Sequence, residues 1–178
     1  MIIVDTREQK PLEPWIFRGG QRIVLPTVRA TLDAGDYSVE GAEGAVALER
    51  KSISDLASTL YGSVESSSGD RAGHLDRFRR ELLRLQPFAR KWWLVEGTPD
   101  ELDMHVLDRF RRINPASAHA LVAAIACDYN IPLIWAGNRL RAGHFLGTTL
   151  GRIAEQISNP REAAKARARG LELPWLKP

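Results

Sequence analysis

The sequence predicts a single α/β domain in which helices flank a mixed β-sheet. From residue 46 onward, segments typical of strands alternate with segments that have helical periodicity, which is the pattern of an α/β fold. The chain has 178 residues, a length that suits one hydrophobic core. Hydrophobic residues make up 44% of the sequence and charged residues 26%, as expected for an ordinary globular domain.

Short apolar runs bounded by turn-forming residues predict the strands. Five segments have this character: residues 2–4, 22–32, 46–51, 92–97 and 132–135. The fourth, with its Trp-Trp-Leu-Val core, is expected to be a central strand, and its tryptophans are expected to pack in the core rather than to stack on bases. Residues 11–20 contain two prolines and a Gly-Gly pair, which predict an irregular connection.

Apolar residues at helical spacing predict four helices, over residues 53–60, 75–85, 116–129 and 139–158. Ser52 is a candidate N-cap of the first helix, and Asp55 lies three residues later, as in a capping box. The core stripe of the second helix consists of Leu75, Phe78, Leu82 and Leu85. Residues 62–73 between these helices are rich in Ser and Gly and predict a mobile linker.

Charge points to a nucleic-acid partner only locally. The net charge is +3 and the isoelectric point about 9.3. Residues 160–178 carry five basic and two acidic residues, while the other 159 carry 20 of each. Residues 71–91 hold seven basic and two acidic residues, a concentrated basic segment. Its Arg77, Arg80 and Arg84 share one helix face and are candidate DNA-binding residues, although a charged helix face is usually only solvated.

Several classes of protein are disfavoured by composition. No apolar run approaches the roughly 20 residues of a membrane-spanning helix, and the first residues do not resemble a secretory signal. The single cysteine, Cys127, excludes an intramolecular disulfide and suits a reducing cytoplasm, where we expect the protein. It lies in an apolar helix and is expected in the core. The four histidines lack ligand spacing, which argues against zinc.

Asp36, Glu49 and Lys51 form the candidate catalytic group. Glu49 and Lys51 face the same side of a strand, and Asp36 lies far enough upstream for a hairpin to bring it beside Glu49. Two carboxylates offer hard oxygen ligands to Mg²⁺ or Mn²⁺, which lowers the pKa of a bound water. Lys51 could orient or deprotonate that water and stabilise negative charge. Taken alone, Asp36 could be only a turn residue and Glu49 a solvated strand residue.

A resemblance to a known family supports the catalytic interpretation. Three blocks occur in order: Val4-Asp5-Thr6-Arg7-Glu8, Gly35-Asp36-Tyr37, and Glu49-Arg50-Lys51-Ser52 followed by Asp55. They resemble the nuclease domain of the XPF-family structure-specific endonucleases, within the PD-(D/E)xK superfamily. The similarity includes residues 78–82 and 94–97 and covers roughly residues 1–135. A lone acidic and lysine pattern occurs by chance in many proteins, whereas three ordered blocks are far more specific.

The resemblance implies a restriction-endonuclease-like fold and metal-dependent endonuclease activity on DNA, at branched, flap or fork structures in repair or recombination. It implies that Asp36 and Glu49 bind the metal, helped by the carbonyl group of Arg50, and that Lys51 is catalytic. It also implies a supporting shell, which consists of Asp5, Arg7, Glu8 and Asp55. Strand alternation directs the Arg50 side chain away from the metal, and Asp55 could be only a helix cap.

The sequence also departs from the resembling family. Larger members add a tandem helix-hairpin-helix unit, so we expect a stand-alone nuclease domain at 1–159, followed by a frayed, charged tail or phosphate-binding arm at 160–178. A homodimer or a helper protein would then contribute to DNA binding. The apolar side chains expected at a dimer interface are Val122, Ile125, Phe145 and Leu146. The 62–73 loop is longer than the family's, which leaves the placement of Arg71 open.

Two other functions fit the sequence. The chain could be a non-catalytic DNA-binding or scaffold subunit, or a metal-dependent phosphodiesterase that acts on RNA. Inactive partners in the XPF family lose the acidic residues and the lysine, and this chain keeps Asp36, Glu49 and Lys51. The enzyme is therefore favoured.

Overall fold

The computed structural model describes residues 1–62, 71–110 and 113–176. Residues 63–70 of the predicted linker lie outside this part, as does the side chain of Arg71. Residues 71–73 begin a helix, so the linker prediction is wrong for them. The described strands are β1 (Ile2–Asp5), β2 (Trp15–Arg18), β3 (Gln21–Val24), β4 (Thr27–Ala30), β5 (Tyr37–Val39), β6 (Val46–Ser52), β7 (Arg90–Glu96) and β8 (Leu133–Trp135). The described helices are α1 (Ile53–Tyr61), α2 (Arg71–Leu85), α3 (Pro99–Arg109), α4 (Pro115–Asp128), α5 (Arg139–Ser158) and α6 (Pro160–Ala168).

Six strands form a mixed sheet in the order β4-β1-β5-β6-β7-β8. Strand β1 is parallel to β4 and antiparallel to β5, and β5 is antiparallel to β6. Strands β6, β7 and β8 are parallel, as expected where helices connect successive strands. The prediction of an α/β fold with a mixed sheet flanked by helices is confirmed.

Each face of the sheet is covered by helices and has its own core, because neighbouring side chains on a strand face opposite sides. Leu48 and Leu94 pack on one face with side chains of α5, such as Leu146. Ala47 and Trp93 pack on the other face with side chains of α1 to α4. Trp93 is fully buried and Trp92 packs against the first core, which confirms that both tryptophans serve packing.

Residues 11–20 are more regular than predicted, because β2 and β3 pair as a separate antiparallel hairpin. Gly19 and Gly20 form its turn with φ angles of 59° and 79°, the left-handed conformation that two-residue hairpins require. The hairpin packs tightly on α5, since a Cβ atom at Gly147 would collide with the backbone of Trp15. Pro26 separates β3 from β4 within the segment predicted as one extended run.

Helix α3 was not predicted from the sequence, although residues at its start form a recognisable N-terminal cap. Thr98 and Glu101 form a capping box, and Pro99 occupies the first turn, where its missing N–H costs no hydrogen bond. The predicted capping box of α1 is confirmed: the Ser52 side chain accepts from the Asp55 N–H, and the Asp55 side chain accepts from the Ser52 N–H.

The expectation of a frayed tail at 160–178 is wrong for the described residues of that segment. Asn159 caps helix α6, and Pro160 lies in its first turn. Ala163 and Ala166 are buried against the core that α5 covers, and Trp175 is only 9% exposed. Three basic residues of this segment therefore lie on a packed helix: Arg161, Lys165 and Arg167.

Three expectations about individual side chains are also wrong. Cys127 is exposed, because α4 directs Ile125 to the core and Cys127 to solvent. Leu75 is 59% exposed near the start of α2, whereas Phe78 is half-buried and Leu82 and Leu85 are buried. Ile125 and Leu146 are buried within this chain and cannot belong to a dimer interface. Among the described helices, none has the length and apolar character to cross a bilayer.

Candidate active site

Asp36 is held beside β6 by backbone geometry. Gly35 precedes it with a φ angle of 78°, and a Cβ atom there would lie 3.1 Å from the carbonyl oxygen of Leu48. The Asp36 N–H donates to that same oxygen at 2.9 Å. The Arg50 N–H donates to Asp36 Oδ2 at 2.8 Å. The predicted hairpin therefore brings Asp36 to the same sheet edge as Glu49.

Tyr37 anchors the turn from the other side of the sheet. Its side chain is fully buried, and its hydroxyl oxygen accepts from the Leu12 N–H at 2.7 Å. Burial raises the pKa of Tyr37, so the phenol stays neutral. Each residue of the Gly-Asp-Tyr block thus has a physical role: the glycine allows close approach, the aspartate faces the cleft and the tyrosine fixes the loop.

Glu49 and Lys51 face the same side of β6, as strand alternation predicts. The Lys51 ammonium lies 3.2 Å from Glu49 Oε1 and also donates to Glu81 Oε1 on α2. It lies 5.2 Å from the ring centroid of Trp93, within cation–π range. Only 9% of the Lys51 side chain is exposed, so its position is fixed by these neighbours.

The two candidate metal ligands carry an unfavourable charge in this environment. Burial and the charge of Glu49 raise the pKa of Asp36 to about 7. Burial also raises the pKa of Glu49, against the opposing effect of Lys51. Burial disfavours the Lys51 ammonium, but Glu49 and Glu81 outweigh it and raise the pKa of Lys51. A cation between Asp36 and Glu49 would relieve the repulsion.

The donor set suits a hard divalent cation. No cluster of three or more His, Cys, Asp or Glu side chains suitable for a metal occurs in the described part of the chain. Mg²⁺ commonly takes one or two carboxylates and completes its coordination with water and substrate phosphate. Asp36 and Glu49 fit this requirement. The participation of the Arg50 carbonyl group stays a prediction.

Asp5 and Arg7 support the cleft as a tight pair. Asp5 accepts from Arg7 Nε at 2.7 Å and from the Leu32 N–H at 2.7 Å. Arg7 therefore lowers the pKa of Asp5, whereas the pKa of Asp36 is raised. The Asp5 N–H donates to the carbonyl oxygen of Asp36 at 2.8 Å, which links this pair to the candidate metal ligand.

Arg50 and Glu8 lie behind the cleft, on the opposite face of β6. Arg50 Nε donates to Glu8 Oε2 at 2.9 Å, and Arg50 Nη1 donates to Glu96 Oε1 at 2.6 Å. Arg139, the first residue of α5, donates to the same Glu96 oxygen at 3.0 Å and to the carbonyl oxygen of Pro11 at 2.7 Å. The structure therefore brings Glu8 and the Arg50 side chain together on this face, and the charge of Glu8 also contributes to the raised pKa of Asp36.

Asp55 is occupied by the helix cap. Its Oδ2 accepts from the Ser52 hydroxyl at 2.6 Å. It also lines a cavity of about 420 Å³ that adjoins the cleft, together with Lys51 and Glu81. The capping role is thus seen directly, and a role in the reaction stays a prediction.

One cleft of about 470 Å³ contains the candidate catalytic residues and the predicted DNA-binding residues. Its lining includes the following charged side chains: Asp5, Arg7, Asp36, Glu49, Lys51, Arg77, Arg80, Glu81 and Arg84. Three of the arginines of α2, Arg77, Arg80 and Arg84, thus face the catalytic residues. Arg84 also donates to the carbonyl oxygen of Asp33 at 2.7 Å.

Four residues of the site or its support were not recognised in the sequence: Glu81, Trp93, Glu96 and Arg139. Glu81 and Glu96 lie in segments covered by the family resemblance, which was the available signal. The contacts of Glu81 and Arg139 depend on tertiary packing, and no local pattern reveals them.

Comparison with known proteins identifies the family. Residues 4–148 match the ERCC4 domain. The chain belongs to the ERCC4 domain family. The ERCC4 domain is a nuclease domain, and such nucleases generally depend on divalent metal ions. The predicted family resemblance is therefore confirmed.

Two solved structures share the fold of this ERCC4 domain. XPF from Aeropyrum pernix has a TM-score of 0.57 and 20% identity, over 97% of this chain and 75% of that chain. XPF from Aeropyrum pernix in complex with DNA has a TM-score of 0.57 and 22% identity, over 87% of this chain and 64% of that chain. Among curated protein sequences, none matches significantly. These likenesses confirm the fold, whereas the roles of individual site residues stay predictions.

Proposed function

We propose that this ERCC4 domain is a Mg²⁺- or Mn²⁺-dependent endonuclease that cleaves DNA at branched, flap or fork structures. Asp36 and Glu49 would hold the metal, and Lys51 would act on the reacting phosphate. The observation that carries the proposal is the convergence of two half-buried, mutually repelling carboxylates and a buried lysine in a cleft lined by arginines. Perturbed titratable groups that converge in a cleft are typical of catalytic sites.

The geometry favours one of the two roles considered for Lys51. Glu49 and Glu81 raise its pKa despite burial, so the ammonium form predominates at neutral pH. Lys51 is therefore suited to orient water and to stabilise negative charge on the phosphate, and poorly suited to remove a proton. A bound divalent cation would supply Lewis-acid activation of water. Asp36 stays aligned for that cation through its hydrogen bond from the Arg50 N–H.

The arginines of α2 would bind the phosphate backbone. Arg77, Arg80 and Arg84 are exposed and line the same cleft as the catalytic group. Arg7 adds a further cation at its edge. XPF from Aeropyrum pernix has been solved in complex with DNA, which supports DNA as the substrate class. A homodimer or a helper protein that extends the DNA contact stays a prediction.

A cleavage panel tests the proposed reaction. Single-stranded, duplex, flap and fork DNA and a matched RNA fork are incubated with the protein in Mg²⁺, in Mn²⁺ and in EDTA. Cleavage should require metal, should favour branched DNA, and should disappear in Asp36→Asn and Glu49→Gln. Metal titration by calorimetry should show that both substitutions weaken binding. Cleavage that survives EDTA, or parental metal affinity in both variants, would refute the assignment.

A salt titration tests how the cleft holds DNA. Replacing Arg77, Arg80 and Arg84 by Ala should weaken binding to all sequences alike. The slope of log K against log salt should flatten by about two to three units, since each contact with duplex DNA contributes about 0.9. Metal affinity should stay at the parental value. An unchanged slope would mean that this helix face is merely solvated.

A further inference from the structure

Glu81 contacts the candidate catalytic lysine from a different element. It lies on α2, and its Oε1 accepts a hydrogen bond from the Lys51 ammonium on β6. It lines both the cleft and the adjoining cavity, so the Lys51–Glu81 pair separates the two. The Glu81 side chain is 33% exposed and that of Lys51 only 9%, so the contact lies at the inner wall of the cleft.

The other neighbours of the ammonium do not fix its direction in the same way. Glu49 lies 3.2 Å away, but it is also a candidate metal ligand, and its carboxylate would be shared with the cation. Trp93 offers the face of its ring at 5.2 Å, an attraction with little directional preference. Among the described residues, Glu81 is the hydrogen-bond acceptor of Lys51 that lies outside the candidate metal ligands.

We propose that Glu81 is a positioning residue that holds the Lys51 ammonium towards the scissile phosphate and couples the DNA-binding helix to the catalytic strand. This inference rests on the proposed function. Leu82 and Leu85 are fully buried and fix α2 on the core, so the position of Glu81 is set by packing. DNA contact through Arg80 and orientation of Lys51 would then depend on one helix.

Glu81 should influence cleavage and DNA binding in opposite directions. Its carboxylate lies in the same cleft as Arg77, Arg80 and Arg84, and it repels the phosphates that these arginines attract. Its removal should therefore tighten DNA binding. Removal should also leave Lys51 less well oriented and slow the chemical step, because orientation contributes directly to rate. A side chain that only stabilises the fold would not produce this pair of effects.

Single-turnover cleavage and DNA binding in EDTA test the two effects. Glu81→Ala should lower the cleavage rate constant on the order of 10-fold and leave DNA binding as tight as parental or tighter. Glu81→Gln, which keeps an acceptor oxygen, should recover part of the rate. Asp76→Asn is the matched control, since it removes a carboxylate from an exposed position of the same helix outside the cleft. Its cleavage rate should stay parental.

A double-mutant cycle tests whether Glu81 acts through Lys51. In a Lys51→Met background, Glu81→Ala should change the cleavage rate by less than about twofold. An equal loss in both backgrounds, or no loss in the single variant, would overturn the inference.

NMR of the lysine ammonium groups provides a readout without activity. Lys51 is one of five lysines, and its ¹⁵NH₃⁺ signal should be visible in the parent and lost by fast exchange in Glu81→Ala. A signal that persists unchanged would overturn the inference. A parent that cleaves no DNA would refute the proposed function, while the NMR result would still decide whether Glu81 holds Lys51.

Discussion

The side chains of Glu49 and Lys51 face one side of strand β6, and that of Arg50 faces the other. Behind the strand, Arg50 and Arg139 pair with Glu8 and Glu96 at distances of 2.6 to 3.0 Å, so two cations meet two carboxylates. In the cleft, the Lys51 ammonium contacts Glu49 and Glu81, and Asp36 lines the same cleft beside Glu49. Four arginines also line this cleft: Arg7, Arg77, Arg80 and Arg84.

The two faces therefore differ in charge balance more than in charge content. Both contain largely buried ionisable groups, which are costly unless each charge is compensated. The network behind β6 compensates its own charges and joins the 5–12 loop, β6, β7 and α5. In the cleft, burial and mutual repulsion still raise the pKa values of Asp36 and Glu49 in spite of Lys51 and the arginines that line it. A divalent cation can compensate this pair of carboxylates. In this sheet, buried charge therefore indicates a reaction site only on the face where the protein leaves it unbalanced.

The largest expected effect is a loss of stability when Arg50, on the face of β6 opposite the cleft, is replaced. Arg50→Ala removes the arginine that Glu8 and Glu96 share, which leaves the buried Glu8 carboxylate without its arginine and Glu96 with Arg139 alone. The unfolding free energy should therefore fall by about 3 kcal/mol. Urea unfolding measures this. The matched control is Arg18→Ala, whose pair with Glu155 spans 3.9 Å and is exposed; it should cost less than about 1 kcal/mol.

Turnover of the Arg50→Ala variant tests whether the Arg50 side chain also takes part in the reaction. The Arg50 N–H remains in the alanine variant, so Asp36 keeps its hydrogen bond and the cleft keeps its shape. Turnover per folded molecule should fall less than in Lys51 variants. A severe loss of turnover at parental stability would show that the Arg50 side chain takes part in the reaction, as the family resemblance allows.

The second largest expected effect is a loss of turnover when Lys51, on the cleft face of β6, is replaced. Lys51→Ala should lower turnover by a factor on the order of 10² or more, with metal and DNA binding largely intact. Lys51→Met, which keeps apolar packing on Trp93, should show the same loss. Lys91→Met is the control, because Lys91 is equally buried but donates to the carbonyl oxygens of Gln86 and Phe88, outside the cleft. Near-parental turnover in both Lys51 variants would exclude Lys51 from the mechanism.

The sequence was sufficient to predict which side chains of β6 share a face. It was not sufficient to predict which residues of other elements pair with them. Alternation along β6 was enough to separate Glu49 and Lys51 from Arg50, because the side-chain period of a strand is fixed. The capping box at Ser52 was likewise a local pattern. The partner of Lys51 lies 30 residues away on α2, and that of Glu96 lies 43 residues away on α5. Such contacts depend on how helices pack on the sheet, which local periodicity does not specify.

The elements α6, β2 and α3 were not predicted from the sequence, because their apolar patterns are weak or short. Helix α6 buries small alanines and contributes little apolar periodicity, so its high charge dominated the prediction. Strand β2 is a four-residue segment next to prolines, and its pairing depends on the Gly19-Gly20 turn. Helix α3 carried a capping box that was overlooked. In these cases the deciding information was the cap or the turn rather than the apolar pattern.

The smallest expected effect is a dependence of folding stability on pH, which the half-buried charge of Asp36 causes. Asp36 has a folded-state pKa of about 7, above its reference value of 3.8. The folded state therefore keeps a proton that the unfolded state has lost, and stability falls as pH rises between these values. Below about pH 4 the group is protonated in both states and costs nothing. Above pH 7 the metal-free protein bears the full cost of the buried carboxylate.

Asp36→Asn removes that cost. Because Asp36 is only half-buried and solvent screens its charge, the gain is smaller than the full pKa shift implies, and in EDTA at pH 8 the variant should be more stable than the parent by about 1 to 2 kcal/mol. The difference should vanish at pH 4, and Mg²⁺ should narrow it at pH 8 by stabilising only the parent. Urea unfolding at pH 4, 6 and 8 measures it, with the exposed Asp33→Asn as the control for a change of charge. Equal stability of parent and variant at pH 8 in EDTA would mean that Asp36 and Glu49 do not repel each other. The cleft would then be as balanced as the opposite face of β6, and the argument for a metal between these carboxylates would lose its physical basis.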